Sequence, residues 1–404
     1  MNETVNTHKK MEELDKMSIP YEAIPPSEWK SNAYDSNNSV SLETLCIFYK
    51  CARDLEKVIE EQEGDEKEVE EYIINLLSLI LTQKLHLIVY HDRWLYFFNG
   101  KYFEPCPSKK ELQCILRELC EAAAYLWKRF SVHDKTVKRL LSHVQQNAVK
   151  VDYPPDISKY VVFENGVLNL DTLELEDFTP QKFFTSMIHA DWLAENKACP
   201  EYEKVINTYT NHEAPLNKRI NEVLGVCLTN DMVKKLFCFL GVTNSGKTFL
   251  LSFLMRLFNN SATVTMQPND LGRQFAPSMV YGKSLCCCMD MDSAPLNTKA
   301  TAFLKGISGA DMLSAEFKGE NGSVPFQSRA HIINASNYDI TTKMPDAAFD
   351  MRKLVIPFKY RLTDNAEPFE VLMDKLEREK AAIVRKLILA YKSLKDNHYE
   401  FSDS

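Results

Sequence analysis

Gly241-Val-Thr-Asn-Ser-Gly-Lys-Thr248 is the stretch from which the rest of this 404-residue chain is read. The five residues before it, Leu236-Phe-Cys-Phe-Leu240, are wholly apolar, as a strand covered on both faces of a parallel sheet requires. The residues after it, Phe249-Leu-Leu251 and Phe253-Leu254, supply the apolar side of a helix. Strand, glycine-rich loop and helix form the context in which this spacing cradles phosphate. Glycines let backbone N–H groups turn towards phosphate oxygens. Lys247 then reaches the β- and γ-phosphates, and the Thr248 hydroxyl takes a magnesium ion. The expected nucleotide-binding set is Gly241, Asn244, Ser245, Gly246, Lys247 and Thr248, with ATP and Mg²⁺ as cofactors.

A magnesium-nucleotide site needs a second strand that ends in carboxylate. Ser284-Leu-Cys-Cys-Cys-Met289 is such an apolar run, and Asp290 and Asp292 follow it. Two residues apart on an extended chain, they face the same side. One can hold the Mg²⁺ shell while the other polarises the attacking water, and the sequence leaves open which does which. The alternative for the pair is capping of the next helix, near Pro295. A third apolar run, Ala330-His-Ile-Ile333, ends in Asn334-Ala-Ser-Asn337. An amide at the tip of a strand lying between the other two could orient the lytic water, although Ser-Asn is also ordinary turn chemistry. Arg352, in Asp350-Met-Arg-Lys353, precedes the apolar Leu354-Val-Ile-Pro-Phe358. It is either a surface charge or, in a ring of copies, a group that reaches a neighbour's γ-phosphate.

Composition is that of a globular chain, with 45% hydrophobic and 26% charged residues. A net charge of -8 argues against a uniformly basic nucleic-acid binder, but not against basic residues lining one channel. No apolar run reaches membrane-spanning length and the first fifteen residues have no apolar core, so neither a membrane span nor a secretory signal is expected. The eleven cysteines include no Cys-x-x-Cys pair, and consecutive Cys286 to Cys288 read as reduced core residues of a cytoplasmic protein.

The chain divides into a loose arm over residues 1–40, rich in Pro, Asn and Ser, and a helical region over 41–155. That region carries helix spacing from Ser41 (Leu42, Leu45, Phe48, Tyr49), an acidic stretch with a turn at Gly64, and a helix over 70–81. Aromatic alternation around Asn99-Gly100 marks a hairpin whose rings pack a small sheet or stack on bases. Ser108 and Glu111 form a capping box, and a further helix is expected over 132–149. Residues 156–215 read as a β-containing linker, with strand, turn and strand around Asn165-Gly166. One helical stretch, 201–228, leads to the loop. The core is expected over 216–365 and a helical lid over 366–404.

The order and spacing of the loop, Asp290/Asp292, Asn337 and Arg352 resemble superfamily-3 helicases, in particular the helicase half of poxvirus and phage/plasmid primase-helicases. Further segments agree: Phe163-Glu-Asn-Gly-Val-Leu-Asn-Leu170 with Phe178-Thr-Pro180, Cys199-Pro-Glu-Tyr202, Glu222-Val-Leu-Gly225, Leu304-Lys-Gly-Ile-Ser-Gly-Ala-Asp311 and Asp346-Ala-Ala-Phe-Asp-Met-Arg352. The likeness covers about residues 155–392. It implies an α/β fold, with an AAA+-type P-loop ATPase core behind a mostly helical N-terminal region carrying a small β-sheet. It also implies a homo-hexamer, an expected oligomerisation role for residues 41–155, and action on single-stranded or forked DNA in a bacterial or viral replication compartment. Asn337 becomes the sensor and Arg352 the arginine finger, while Asp292 takes the position where the family usually has Glu. Met312 to Phe326 reads as two short strands around a Gly319-Glu-Asn-Gly322 turn, a hairpin that is either an ordinary surface feature or, as the resemblance implies, one projecting into a central channel, with Lys318 as the DNA-tracking cation and Lys305 and Arg329 in support. No acidic metal triad stands in strand context in residues 1–155, so primer synthesis is not expected of this chain, and the sequence leaves open whether a primase or other replisome protein acts with it in trans. The sequence after 394 leaves no room for a winged-helix domain, so origin recognition is not expected of this chain. The competing reading is a ring ATPase that remodels or loads partner proteins, or serves a defence or packaging role, without processive unwinding.

Overall fold

The computed structural model describes residues 48, 51–84, 86–90, 94–105, 109–128, 131–151, 157–267, 270–291, 293–318, 322–362 and 367–403. The arm over 1–40, the helix expected from Ser41 (apart from Phe48) and the Ser108 cap lie outside them. The described residues fall into two compact units, one within 1–154 together with 178–183 and the other within 155–177 and 184–404.

In the first unit, Gly64 adopts a φ of 137° at the expected turn, and helix α1, Glu66–Leu79, starts two residues later. Asp65 accepts from the Lys67 and Glu68 amides, and Glu68 reaches back to the Asp65 amide, a closed capping box. The helix runs on into a π-helical turn, Ile80–Lys84. Strands β1 (Ile88–Tyr90), β2 (Trp94–Phe98) and β3 (Phe103–Pro105) form an antiparallel meander. The Asn99 side chain fixes its second turn by accepting from the Lys101 and Tyr102 amides, both at 3.0 Å. Tyr90, Tyr96 and Phe103 all place their rings within 5.3 Å of the Phe183 ring, so in this unit these aromatics pack the sheet. Helices α2, Lys109–Trp127, and α3, Asp134–Asn147, cover the core. The helix expected over 132–149 stops at Asn147. Val149–Val151 forms β4 instead, paired parallel to β1, because two β-branched residues in alternation suit a ladder better than a helix end.

The second unit opens with an antiparallel sheet: β5 (Tyr160–Phe163), β6 (Gly166–Asn169) and β7 (Leu175–Glu176). The single helical stretch expected over 201–228 is two helices, α4 (Pro200–Thr210) and α5 (Ala214–Cys227). Asn211 and His212 are both left-handed (φ 50° and 63°), and a proline in the first turn of α5 rules out continuation of α4 through it.

The centre is a five-stranded parallel sheet built from β8 (Leu236–Gly241), β9 (Thr263–Met266), β10 (Leu285–Met291), β13 (His331–Ser336) and β14 (Lys353–Phe358). Helix α6, Lys247–Arg256, follows β8, and α7, Thr298–Ser308, follows β10. The hairpin β11 (Met312–Glu316) and β12 (Ser323–Gln327) precedes β13, and α8, Phe369–Asp396, closes the unit. Strand order is β14-β8-β13-β10-β9, so β13 lies between the loop strand and β10, as the polar strand-end residues suggested. Side chains alternate between two cores. Phe237, Phe239, Leu285 and Cys287 enter one, while Leu236, Cys238, Cys286 and Cys288 enter the other. The three consecutive cysteines are free thiols buried in this way. Residues of segments 157–215, 216–365 and 366–404 contribute to the first of these cores together.

Helices α5 and α8 cross with no spare room. A Cβ built on Gly225 would overlap the carbonyl oxygen of Leu387. Gly225→Ala is therefore expected to force the helices apart and destabilise the chain by about 2–3 kcal/mol, read as a lower urea midpoint at unchanged slope. A wild-type midpoint would contradict this packing. Among the described residues, no helix is long and apolar enough to cross a membrane.

Candidate functional site

The carboxyl edge of the parallel sheet gathers the polar strand-end residues. Gly241 of β8 pairs with Phe358 of β14, Leu240 with Ser336 of β13, and Ser336 with Met291 of β10. The loop 241–246 leaves β8 here and enters α6. Its backbone needs its glycines. Gly241 has φ 156° and a Cβ there would overlap the Phe358 carbonyl, while Gly246 has φ 90° and faces the Tyr209 ring. Asn244 takes φ 57°, a conformation that asparagine tolerates. Two backbone bonds lace the loop to the segment after β14: Val242 N–H to Phe358 O at 3.0 Å and Leu362 N–H to Asn244 O at 2.8 Å.

Lys247 is buried, and its ammonium donates to Gly241 O (3.0 Å), Val242 O (2.6 Å), Ser245 Oγ (3.1 Å) and Asn337 Oδ1 (3.1 Å). Asn337 in turn donates to Thr243 Oγ1 at 3.1 Å, so one amide bridges Lys247 and the far side of the loop. The N-terminus of α6 has no side-chain cap, which leaves the first-turn N–H groups facing the cleft. Thr248 is exposed there. An uncapped helix start, a buried ammonium bonded within the loop and a loop of turned amides make a cradle for anionic oxygen.

A cleft of about 1200 Å³ opens over this cradle, lined by residues 243–249, Ser336 and Asn337. It also takes residues that the sequence reading did not single out: Tyr209 of α4, Lys359 to Leu362 after β14, and Phe369 of α8. Only the apolar-aromatic character of Phe369 at a helix start hinted at a role, and such residues are commonplace in cores.

Asp290 lies on the last turn of the ladder in β10, where the register shifts between Cys288 and Met291, at the same sheet edge as the loop. Its side chain and the whole of Asp292 lie outside the described residues. Ser336 Oγ donates to Met291 O at 2.8 Å and ties the ends of β10 and β13 together.

Arg352 is not brought to this edge. It stands at the start of β14, where its carbonyl accepts from Leu236 N–H at 2.7 Å. Phe358 lies six residue steps further along the strand, roughly 20 Å at an ordinary rise per residue. Lys305 ion-pairs with Asp346 at 2.7 Å, and the lysine holds that carboxyl below its usual range. Asp346 also accepts from Phe349 N–H, so Lys305 braces the turn before Arg352. Arg329 is half-buried just ahead of β13. Lys318 is exposed beyond the end of β11, near a hairpin turn whose residues 319–321 lie outside the described ones. Tyr281 packs along that hairpin, with its ring centroid 5.6 Å from Phe317, at the turn end of β11, and 5.1 Å from Phe326 of β12. Among the described residues there is no cluster of three His, Cys, Asp or Glu suited to a metal ion.

Two family models match parts of the chain. One, described as a family of unknown function (DUF5906), covers residues 239–352, from the loop strand to Arg352. The other, described as D5 N terminal like, covers residues 78–211. No curated protein matches. Among solved structures, the fold is similar to the apo C-terminal region of NrS-1. In its A form the identity is 14% and the TM-score 0.51, over 81% of this chain and 74% of that one. A second apo structure, of NrS-1 residues 305–718, gives 12% and 0.52, over 82% and 75%. At these identities the likeness is one of fold.

Proposed function

We propose that this chain is an ATP-hydrolysing ring helicase of the superfamily-3 type, which moves on single-stranded DNA during replication of a virus, phage, plasmid or mobile element. The observation that carries the reading is the clasp of Asn337 on Lys247 across the Gly241–Thr248 loop. A strand-end amide held against the loop lysine is what a triphosphate site with a water-orienting sensor needs. The match to a D5 N terminal-like model over residues 78–211 adds a likeness outside the loop.

In this reading Lys247 exchanges its loop acceptors for phosphate oxygens, and the first-turn amides of α6 hold the remaining charge. Thr248, with a carboxylate from Asp290 or Asp292, would hold Mg²⁺, which supplies charge neutralisation to the phosphates when bound. Asn337 orients the attacking water. Arg352 stands at the start of β14, at the other end of the strand from its own loop, so in this reading it serves a neighbour's site in a ring of six copies. The β11–β12 hairpin presents Lys318 to the DNA backbone in the channel, with a primase supplied in trans.

Lys318→Ala tests the channel. Phosphate contacts of this kind are independent of base sequence and weaken with salt. The variant is expected to lose fork unwinding by about tenfold or more while its basal ATPase stays within about twofold. Unwinding at the wild-type rate would remove the hairpin from the mechanism and favour a ring ATPase that remodels partner proteins.

A further inference from the structure

The cleft over the loop has two chemically distinct ends. One is polar, made of the loop amides, Lys247 and Asn337. The other is apolar, made of Val205, Leu362, Phe369 and Leu372. Phe369 is 42% exposed, an unusual state for a phenylalanine at the base of a long helix. Its position is nonetheless fixed. Its ring meets the Phe249 ring edge-on, with centroids 5.2 Å apart and planes at 79°. Phe249 follows Thr248 directly, so the platform is one residue removed from the loop's last functional group. Leu362 is tied to the loop as well, through its amide bond to Asn244 O.

The rim beside Phe369 is braced by charge. Lys375 contacts Glu367 at 2.7 Å and Glu201 at 3.3 Å, and Lys204 contacts Glu367 at 3.3 Å. These pairs link α4, α8 and the segment before α8, and hold the Glu367 carboxyl below its usual range through Lys375 first. They fix the rim in place without closing the apolar floor.

We infer that this apolar end is a nucleobase subsite, with Phe369 as the stacking platform for the base of a nucleoside triphosphate whose phosphates lie on the loop. The inference rests on the nucleotide reading of the loop and deepens it. A base gains a π-face contact and a dry floor there, while the phosphates take the amides and Lys247 at the other end. The ring contact of Phe249 with Phe369 and the hydrogen bond from Leu362 N–H to Asn244 O set the spacing between the two ends.

The test separates base from phosphate. Binding of Mg·ATP and of Mg·tripolyphosphate, which has no base, is measured for wild type, Phe369→Ala and Phe369→Trp by competition against a fluorescent ATP analogue. Phe369→Ala is expected to weaken ATP on the order of 10- to 100-fold and to leave tripolyphosphate unchanged, with Phe369→Trp restoring ATP binding. An equal loss for both ligands, or no loss for either, would overturn the base subsite while leaving the phosphate loop standing. Failure of the wild type to bind either ligand would overturn the nucleotide reading itself, and the subsite with it.

Discussion

Replacing Lys247 by alanine is expected to abolish ATP hydrolysis, by about 10³-fold or more, and to leave the chain folded. The ammonium is buried and donates to two loop carbonyls, the Ser245 hydroxyl and the Asn337 amide oxygen. Those acceptors hold the cation where transferred phosphate would need it. Alanine removes the charge and releases Asn337 from one side of its clasp, so both charge stabilisation and water orientation suffer. Gly241, Gly246 and the lacing bonds to Phe358 and Leu362 remain, so the loop backbone keeps its course. Lys247→Arg does not rescue, because a planar guanidinium cannot occupy a pocket shaped for a compact ammonium. Steady-state turnover together with a urea midpoint checks this. Turnover within tenfold of wild type in a folded variant would remove the lysine from the chemistry.

Arg352→Ala is expected to lower turnover by about 10³-fold with little change in ATP affinity. The physical basis is distance. Arg352 stands at the opposite edge of the sheet from the loop of its own chain, and Lys305, Asp346 and the Phe349 amide brace the turn that presents it. A group so placed contributes nothing to nucleotide binding within one copy. In the proposed ring its effect falls at an interface between copies, which is then head-to-tail. Mixing makes the point sharply. Lys247→Ala copies keep Arg352, and Arg352→Ala copies keep Lys247. Each preparation alone is inactive. Random co-assembly restores both groups at about a quarter of the interfaces, and turnover returns in proportion. No recovery on mixing, with both variants assembled, would place Arg352 outside the site.

The parts that were legible in the sequence are those in which local chemistry and tertiary environment agree. Leu236–Leu240 is apolar at every position, and the structure covers both faces of that strand. Cys286 to Cys288 alternate between two cores, as consecutive residues on a strand must. Asn337 was readable because it ends an apolar run, and the strand order puts that run beside the loop strand. The hairpin at 312–327 announced itself through its Gly-Glu-Asn-Gly turn. What stayed hidden depends on contacts distant in sequence. Val149–Val151 is only three residues long and becomes a strand by pairing with β1, some sixty residues earlier. The break between α4 and α5 is the exception, because its signals are local: Asn211 takes the left-handed cap and Pro215 opens α5. Residues 178–183 belong with the first unit because Phe183 packs among Tyr90, Tyr96 and Phe103. Lys305 looks like a spare cation until Asp346 is placed 2.7 Å from it. The apolar end of the cleft is assembled from Val205, Leu362 and Phe369, each ordinary in its own segment.

The central claim is that nucleotide turnover at the Lys247 loop drives movement along single-stranded DNA. Strand displacement from forks with a 5′ or a 3′ tail, followed with Mg·ATP for wild type and Lys247→Ala, tests it most directly. The account predicts that the wild type separates forks of one tail polarity only when ATP is present, and that Lys247→Ala separates neither. A wild type that hydrolyses ATP yet leaves both forks annealed would contradict it.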